Sequence, residues 1–241
     1  MRKAPLRLFP KGGNSVVYFD YTYLLMLPGL ILGLWARWKV KKTYEEYGRI
    51  RTRRGEPACE MVRELLDKEN ADVAVEETGG ILTDHYDPRV NILRLSQGVY
   101  RSDSVSAVGI AAHEAGHALQ KKEGYKPLGL RTAIVPAVNV GSYLAWPLFI
   151  GGLAFSFEPL VTAGIAVYSL LVFFSLITLP VEFDASRRAR RMLADSGYFE
   201  EEELRGVSKV LSAAAMTYVA SFVSAFLTLL RLLLIAQRRR R

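Results

Sequence analysis

The sequence predicts a mainly α-helical, polytopic membrane protein with a small α+β element outside the membrane. Half of the 241 residues are hydrophobic, yet 23% are charged and the mean hydropathy is only +0.12. The chain therefore combines apolar spans with a solvated part. This composition excludes a disordered or collagen-like protein, and the single cysteine, Cys59, excludes an intrachain disulfide.

Uncharged apolar runs are the candidate membrane spans. They hold 16, 26, 23 and 21 residues, at positions 21–36, 132–157, 159–181 and 210–230. A bilayer core of about 30 Å needs about 20 helical residues, so the last three are long enough. The first run is short, but aromatic residues typical of the membrane interface flank it. We therefore predict four membrane helices.

The chain divides accordingly into membrane and solvated segments. The predicted segments are an N-terminal tail (1–20), a first membrane helix (21–38), a cytoplasmic segment (39–131), two membrane helices (132–181), a cytoplasmic loop (182–209), a fourth membrane helix (210–236) and a basic tail (237–241). Arg231 and the four terminal arginines oppose a simple fourth span, which we expect to be kinked, interfacial or packed against other spans.

Loop charges predict the orientation. Residues 37–54 contain eight Lys or Arg and residues 182–209 contain six, whereas the connection 151–158 contains none. By the positive-inside rule the two basic segments are cytoplasmic, in a protein integral to the cytoplasmic membrane. The net charge is +8, and most basic residues lie beside apolar runs. This position indicates that they face anionic lipid rather than nucleic acid.

The solvated segment 39–131 has a mixed pattern. Residues 56–70 predict a helix, and the alternation at 73–75 and the run 90–95 predict strands of a small sheet or hairpin. The strand at 90–95 is either internal or an edge that pairs with an extended peptide. Ser102, Asp103 and Ser104 offer a helix N-cap, and a helix follows from Val105 to about Lys121.

This last helix contains the HExxH motif, formed by His113, Glu114 and His117. Residues four apart lie on one helix face, so both imidazoles can reach one ion while Glu114 faces a water in its open position. Random placement gives roughly 0.002 matches in a chain of this composition. The alternative is two surface histidines that flank a glutamate. Val105, Val108, Ala112, Ala115 and Leu119 form the predicted core-facing stripe.

A catalytic zinc needs a third protein ligand. Glu123 stands where metzincins place a histidine, without the expected glycine turn, and His85 is the remaining histidine. Glu182 is the better candidate, because the predicted topology brings it to the same membrane face as the HExxH helix. The alternative for Glu182 is a charge at a span end, paired with Arg187 or Arg188.

Three segments carry a resemblance to a known family: LTDHYDPR at 82–89, AHEAGHALQ at 112–120 and LPVEFDASRR at 179–188. On these the chain resembles the YugP family of neutral zinc metallopeptidases of bacterial membranes, over roughly residues 18–236. The resemblance implies a zincin-like α+β element, one Zn²⁺ held by His113, His117 and Glu182, and Glu114 as base. The similar HtpX-like enzymes carry an aspartate where this chain has Ser186.

Further roles are expected close to the motif. His85 and Tyr86 are candidate catalytic donors to an oxyanion, and the alternative is an ordinary polar turn closed by Asp84 and Asp87. Asp184 and Asp103 could each orient a ligand imidazole, with Asp103 more simply a helix cap.

The sequence thus predicts a zinc-dependent membrane endopeptidase acting on a membrane-associated protein or peptide. The alternative is a membrane scaffold for protein assembly or quality control, with a structural or lost metal. Fe²⁺ uses the same ligand types, so the ion is inferred from the ligand set. A transporter is disfavoured because the two middle spans contain no charge.

Overall fold

The computed structural model describes residues 21–240, so the predicted tail 1–20 and the last residue of the basic tail lie outside the described part. A 3₁₀ turn, Tyr21–Met26, comes first. The remaining elements are α1 (Leu27–Tyr47), α2 (Ala58–Lys68), β1 (Ala74–Thr78), β2 (His85–Asp87), β3 (Ile92–Ser96), α3 (Gln97–Tyr100), α4 (Val105–Lys122), α5 (Lys126–Ala154), α6 (Glu158–Asp195) and α7 (Glu201–Arg240). The mainly α-helical class with a small sheet is confirmed.

The sheet has the strand order β1-β3-β2, with β1 parallel and β2 antiparallel to β3. The predicted strand at 90–95 is therefore the central strand, and the hypothesis that it offers a free edge is wrong. Both of its edges are already hydrogen-bonded, and pairing partners cannot be read from one strand's own pattern. The edge strands are β1 and β2, and β2 lies in the segment where the sequence suggested a turn.

Helix α4 lies at the centre of the solvated part. The Ser104 hydroxyl caps it by accepting a hydrogen bond from the Ala107 N–H at 3.2 Å. The five residues of the predicted core-facing stripe are all buried. The opposite face is also covered, because α6 and α7 pack against it. The motif helix is thus held on several sides.

Three helices of the described chain, α5, α6 and α7, are long and apolar enough to cross a membrane. They contain the predicted spans within 132–181 and 210–236. Helix α1 does not meet that criterion, so the span over 21–38 stays a prediction. It packs closely along α7, since a Cβ added to Gly29 would lie 2.9 Å from Ser224 Oγ.

Helix α6 continues well beyond its apolar run. Its 38 residues rise about 57 Å, against a hydrocarbon core of about 30 Å. The prediction of a loop at 182–209 is therefore wrong over most of its length. Residues 182–195 continue α6, and residues 201–209 begin α7. Val181, Ala185, Ala189 and Met192 are buried at helical spacing, so the helix continues as an amphipathic one where hydropathy falls.

The basic end of α7 contacts other elements. The Arg231 Nε donates to Thr22 Oγ1 at 3.1 Å, and its guanidinium lies 3.8 Å from the centre of the Tyr23 ring. Arg239 donates to the carbonyl oxygens of Gly152 and Leu153, at the C-terminal end of α5. The last apolar run is thus packed against its neighbours, which was one of the three expectations for it.

Candidate metal centre

His113 and His117 of α4 meet Glu182 of α6. Glu182 Oε2 lies 3.2 Å from His113 Nε2 and 3.6 Å from His117 Nε2. One ligand atom from each residue lies within 4.8 Å of the others. The Glu182 side chain is 2% exposed. The structure therefore brings together the three residues predicted as metal ligands. One helical turn of α4 supplies the two histidines, and the half of α6 beyond its apolar run supplies Glu182.

A glycine inside the motif permits this close approach. A Cβ added to Gly116 would lie 2.4 Å from the carbonyl oxygen of Ala185. No side chain fits at that distance, so α4 and α6 meet backbone to backbone beside the two histidines. Glu182 reaches the motif because residue 116 has no side chain.

Each imidazole has a partner on its second nitrogen. Ser186 Oγ lies 3.2 Å from His113 Nδ1, and Gln120 Oε1 lies 3.0 Å from His117 Nδ1. The Gln120 oxygen can only accept, so it assigns the proton to His117 Nδ1 and leaves Nε2 as the free acceptor. Outer hydrogen bonds of this kind orient histidine ligands in metal sites.

Asp184 acts on the site through Gln120. The fully buried Gln120 amide donates to Asp184 Oδ2 at 2.9 Å and to the Val181 carbonyl at 2.7 Å. These two acceptors fix the amide so that its oxygen faces His117. Asp103 is elsewhere, paired with Arg51 at 3.1 Å, so of the two expected orienting aspartates only Asp184 is connected to the site.

The second oxygen of Glu182 is also held. Arg131 donates from its NH1 nitrogen to Glu182 Oε1 at 2.9 Å. Arg187 and Arg188, the alternative partners expected for Glu182, pair with Asp184 instead. One oxygen of Glu182 therefore faces the two histidines, and the other accepts from Arg131. Two imidazole nitrogens and one carboxylate oxygen are ligand types that zinc binds.

Acidic neighbours influence the protonation of His117. Burial by itself lowers its pKa, but the Glu182 carboxylate and the charge of Glu114 outweigh burial and leave the pKa above its usual value. Protons and a metal ion compete for the same nitrogen. Metal affinity is therefore expected to weaken as the solution becomes more acidic.

Glu114 faces a cavity beside the ligands. The cavity has a volume of about 630 Å³ and is also lined by His117 and Glu182. Glu114 Oε2 accepts a hydrogen bond from the Tyr86 backbone N–H at 3.0 Å. The carboxylate of the motif is therefore positioned by the edge strand β2.

His85 and Tyr86 also line this cavity. The Tyr86 hydroxyl donates to Asn91 Oδ1, and burial with the nearby Asp87 raises the pKa of Tyr86 to about 12. Its phenol is thus engaged away from the ligands, and its backbone N–H is what reaches Glu114. His85 is exposed, and its Nδ1 lies 2.8 Å from the Thr83 carbonyl, which fixes the proton there and leaves Nε2 as an acceptor. An oxyanion-donating role for His85 stays a prediction.

Sequence reasoning missed three residues at the site: Gln120, Arg131 and Tyr218, which lines the cavity from α7. Gln120 comes three residues after His117, a spacing that places both on one helix face and could have suggested the contact. In the sequence, Ser186 stands out only because HtpX-like enzymes carry an aspartate at that position. Nothing in the local sequence pairs Arg131 or Tyr218 with Glu182.

We expect Gln120→Met to raise the dissociation constant for zinc by about 10–100-fold, because His117 loses the partner that fixes its tautomer. Calorimetric zinc titration of the metal-stripped protein measures this. Gln97→Met is the matched control, since Gln97 is exposed. Equal affinities of the Gln120→Met variant and the wild-type protein would contradict the orienting role.

Membrane helices, an HExxH helix and a buried glutamate from a second helix define a membrane protein of the zinc metallopeptidase type. The chain belongs to the family described as "Putative neutral zinc metallopeptidase", whose sequence profile matches residues 22–237. It is 45% identical over 212 residues to the "Putative membrane protease YugP" of Bacillus subtilis (strain 168), which covers 88% of this chain and 94% of that protein. No solved structure matches. The resemblance seen in the sequence is confirmed.

Proposed function

We propose that this protein is a membrane-integrated zinc endopeptidase that hydrolyses peptide bonds with Glu114 as general base. The observation that carries the proposal is the convergence of His113, His117 and Glu182 beside a cavity that Glu114, His117 and Glu182 line. A purely structural metal needs the ligands but no carboxylate facing the same space. The scaffold alternative leaves the position of Glu114 unexplained.

His113 Nε2, His117 Nε2 and Glu182 Oε2 would hold the ion, and the fourth position would face the cavity. Zinc bound there lowers the pKa of a water molecule to about 7 and polarises a carbonyl group. The chain's own residues supply the rest. Ser186 and Gln120 keep both imidazoles oriented, and Arg131 fixes the Glu182 carboxylate.

Glu114 has the position required of the base. It would take the proton of the attacking water on one carboxylate oxygen and pass it to the leaving amine. The Tyr86 N–H holds Oε2, so Oε1 is the oxygen available for this proton. Nearly complete burial of Glu114 keeps its carboxylate from being surrounded by bulk water.

The edge strand β2 is the proposed guide for the substrate backbone. Because the Tyr86 N–H donates to Glu114, it points to the side of β2 opposite β3. No other strand of the described chain pairs with that side. An extended peptide lying there would pass Glu114 and the ligands, and main-chain hydrogen bonds would hold it largely independently of its side chains.

We further propose that the active site faces the cytoplasm in the plasma membrane. The support is that both basic segments lie at the end of the molecule that carries the metal centre. Arg51 pairs with Asp103 just before α4, and Arg188 pairs with Asp184 and Glu123. The connection between α5 and α6, which itself contains no Lys or Arg, is at the other end, where Arg239 from the basic end of α7 contacts it. The proposal therefore rests on the larger number of basic residues at the end that carries the metal centre.

The test compares the zinc-loaded wild-type protein with Glu114→Gln in detergent and uses a mixed peptide library as substrate. We expect Glu114→Gln to keep about one zinc per chain but to lose about 10²–10⁴-fold in hydrolysis, because the amide cannot accept the proton. Glu60→Gln, an exposed glutamate on α2, is the control. Equal hydrolysis by Glu114→Gln and the wild-type protein would exclude Glu114 as the base.

A further inference from the structure

The cavity at the metal centre continues along one face of α5. Its lining residues there recur at helical spacing: Leu128, Arg131, Thr132, Val135, Pro136 and Asn139. Eleven residues of helix rise about 16 Å. Arg131 marks the start of the uncharged run, so Asn139, eight residues later, lies about 12 Å further along the helix. We call this part of the cavity the α5 groove.

The inner end of the α5 groove carries polar groups within an apolar span. The Asn139 amide has no hydrogen-bond partner within residues 21–240. Pro136 has no N–H to donate to the carbonyl oxygen of Thr132 one turn earlier. At the metal end of the groove, Tyr218 of α7 adds a phenol beside Glu182. Polar groups at membrane depth are costly unless they bind something, and they mark functional pathways.

The groove continues toward the lipid. Tyr143 lies one helical turn beyond Asn139 on the same face of α5 and is 80% exposed. The other side of α5 is closed, since a Cβ added to Gly141 would lie 3.1 Å from Val167 of α6. With α5 in the bilayer, a molecule in the lipid would approach the metal centre along this face of α5, which α6 does not cover.

We propose that the α5 groove binds the unwound end of a substrate's own membrane span and leads it to the metal centre. This proposal rests on the proposed peptidase function and names its substrate class, a protein cut at or just inside the cytoplasmic membrane surface. A peptide bond must leave its helix to be attacked, which frees backbone N–H and C=O groups. In hydrocarbon those groups need partners, and Asn139, the Thr132 carbonyl and Tyr218 offer both donors and acceptors.

Binding is tested apart from cleavage by photo-crosslinking in proteoliposomes. The protein carries Glu114→Gln to prevent turnover and a benzoylphenylalanine at Val135 in the groove. The control carries the crosslinker at Val140, which is on the same helix and 60% exposed. The probes are a synthetic peptide with about 20 apolar residues followed by a short polar extension, and the extension alone.

We expect the crosslinker at position 135 to capture the spanning peptide several-fold better than the extension alone, and better than the crosslinker at position 140. Asn139→Leu, which keeps the side-chain shape, is expected to reduce that capture several-fold with zinc content unchanged. Capture of lipid only, equal capture of both peptides, or no effect of Asn139→Leu would overturn the proposal.

A parallel hydrolysis assay with the Glu114-intact protein separates this proposal from the proposed function. Capture of the spanning peptide without hydrolysis would count against the peptidase and leave the groove assignment standing. Hydrolysis of both peptides at equal rates, without selective capture at position 135, would support the peptidase and reject the groove.

Discussion

Replacing Glu182 with glutamine is expected to abolish stable zinc binding and, with it, peptide hydrolysis. The carboxylate is the anionic ligand of the proposed site, and its Oε2 lies against both imidazoles. An amide carries no charge and presents a weaker oxygen donor, so the loss of affinity should exceed the about 10–100-fold expected for an orienting residue. Metal content of the detergent-purified protein, before and after zinc refilling, measures the effect.

The comparison needs Glu114→Gln and Glu202→Gln beside it. Glu202 is an exposed glutamate at the start of α7, so both of these variants should keep about one zinc per chain. If Glu182→Gln kept full zinc, the third ligand would lie elsewhere. If no preparation, the wild-type protein included, bound zinc even after refilling, the scaffold alternative would replace the peptidase.

Replacing Gly116 with alanine is expected to destroy the metal centre without touching any ligand. The new methyl group would lie 2.4 Å from the Ala185 carbonyl oxygen, so α6 must move away from α4. Overpacking of this kind costs about 1–3 kcal/mol and sometimes more. The displacement also carries Glu182 and Ser186 away from the histidines, so zinc binding should be lost together with thermal stability.

Gly129→Ala is the matched control for this prediction. Gly129 lies in α5 and an added Cβ there meets nothing within 4 Å, so that variant should keep its zinc and a wild-type or slightly higher melting temperature. Thermal unfolding followed by circular dichroism, with metal analysis of each sample, separates the two variants. A Gly116→Ala protein with normal zinc content and stability would show that the helices can separate without losing the site.

The motif could be found in the sequence because its chemistry is local. His113, Glu114 and His117 lie within one and a half turns of one helix, and helical geometry alone places the imidazoles together. Helix α4 begins where its serine cap predicts and runs one residue past its expected end. The apolar runs likewise indicated the three long helices, because the length needed to cross a bilayer is a property of the chain itself.

The prediction of Glu182 rested on the topology that loop charge indicates, which is a weaker argument than helical spacing. Glu182 does lie beside the two histidines, but for a different structural reason. Loop charge predicted that Glu182 lies near the HExxH helix, but in a loop. The structure places it on a helix that passes straight out of its apolar run. Falling hydropathy predicts that the helix ends there. A helix that leaves the membrane needs only one apolar face, however, and this face of α6 packs against the buried residues of α4.

The sequence by itself determined the helical membrane class, the family and the HExxH motif. Tertiary structure decided what surrounds the candidate metal ligands: Gln120 and Ser186 on the imidazoles, Arg131 on Glu182, and β2 rather than β3 at the sheet edge beside Glu114. Gln120 and His117 are only one helical turn apart, but the other contacts join residues far apart in the chain or depend on strand order, and local pattern does not encode either one. The close approach of α4 to α6 at Gly116 brings Glu182 and Ser186 of α6 to the two histidines.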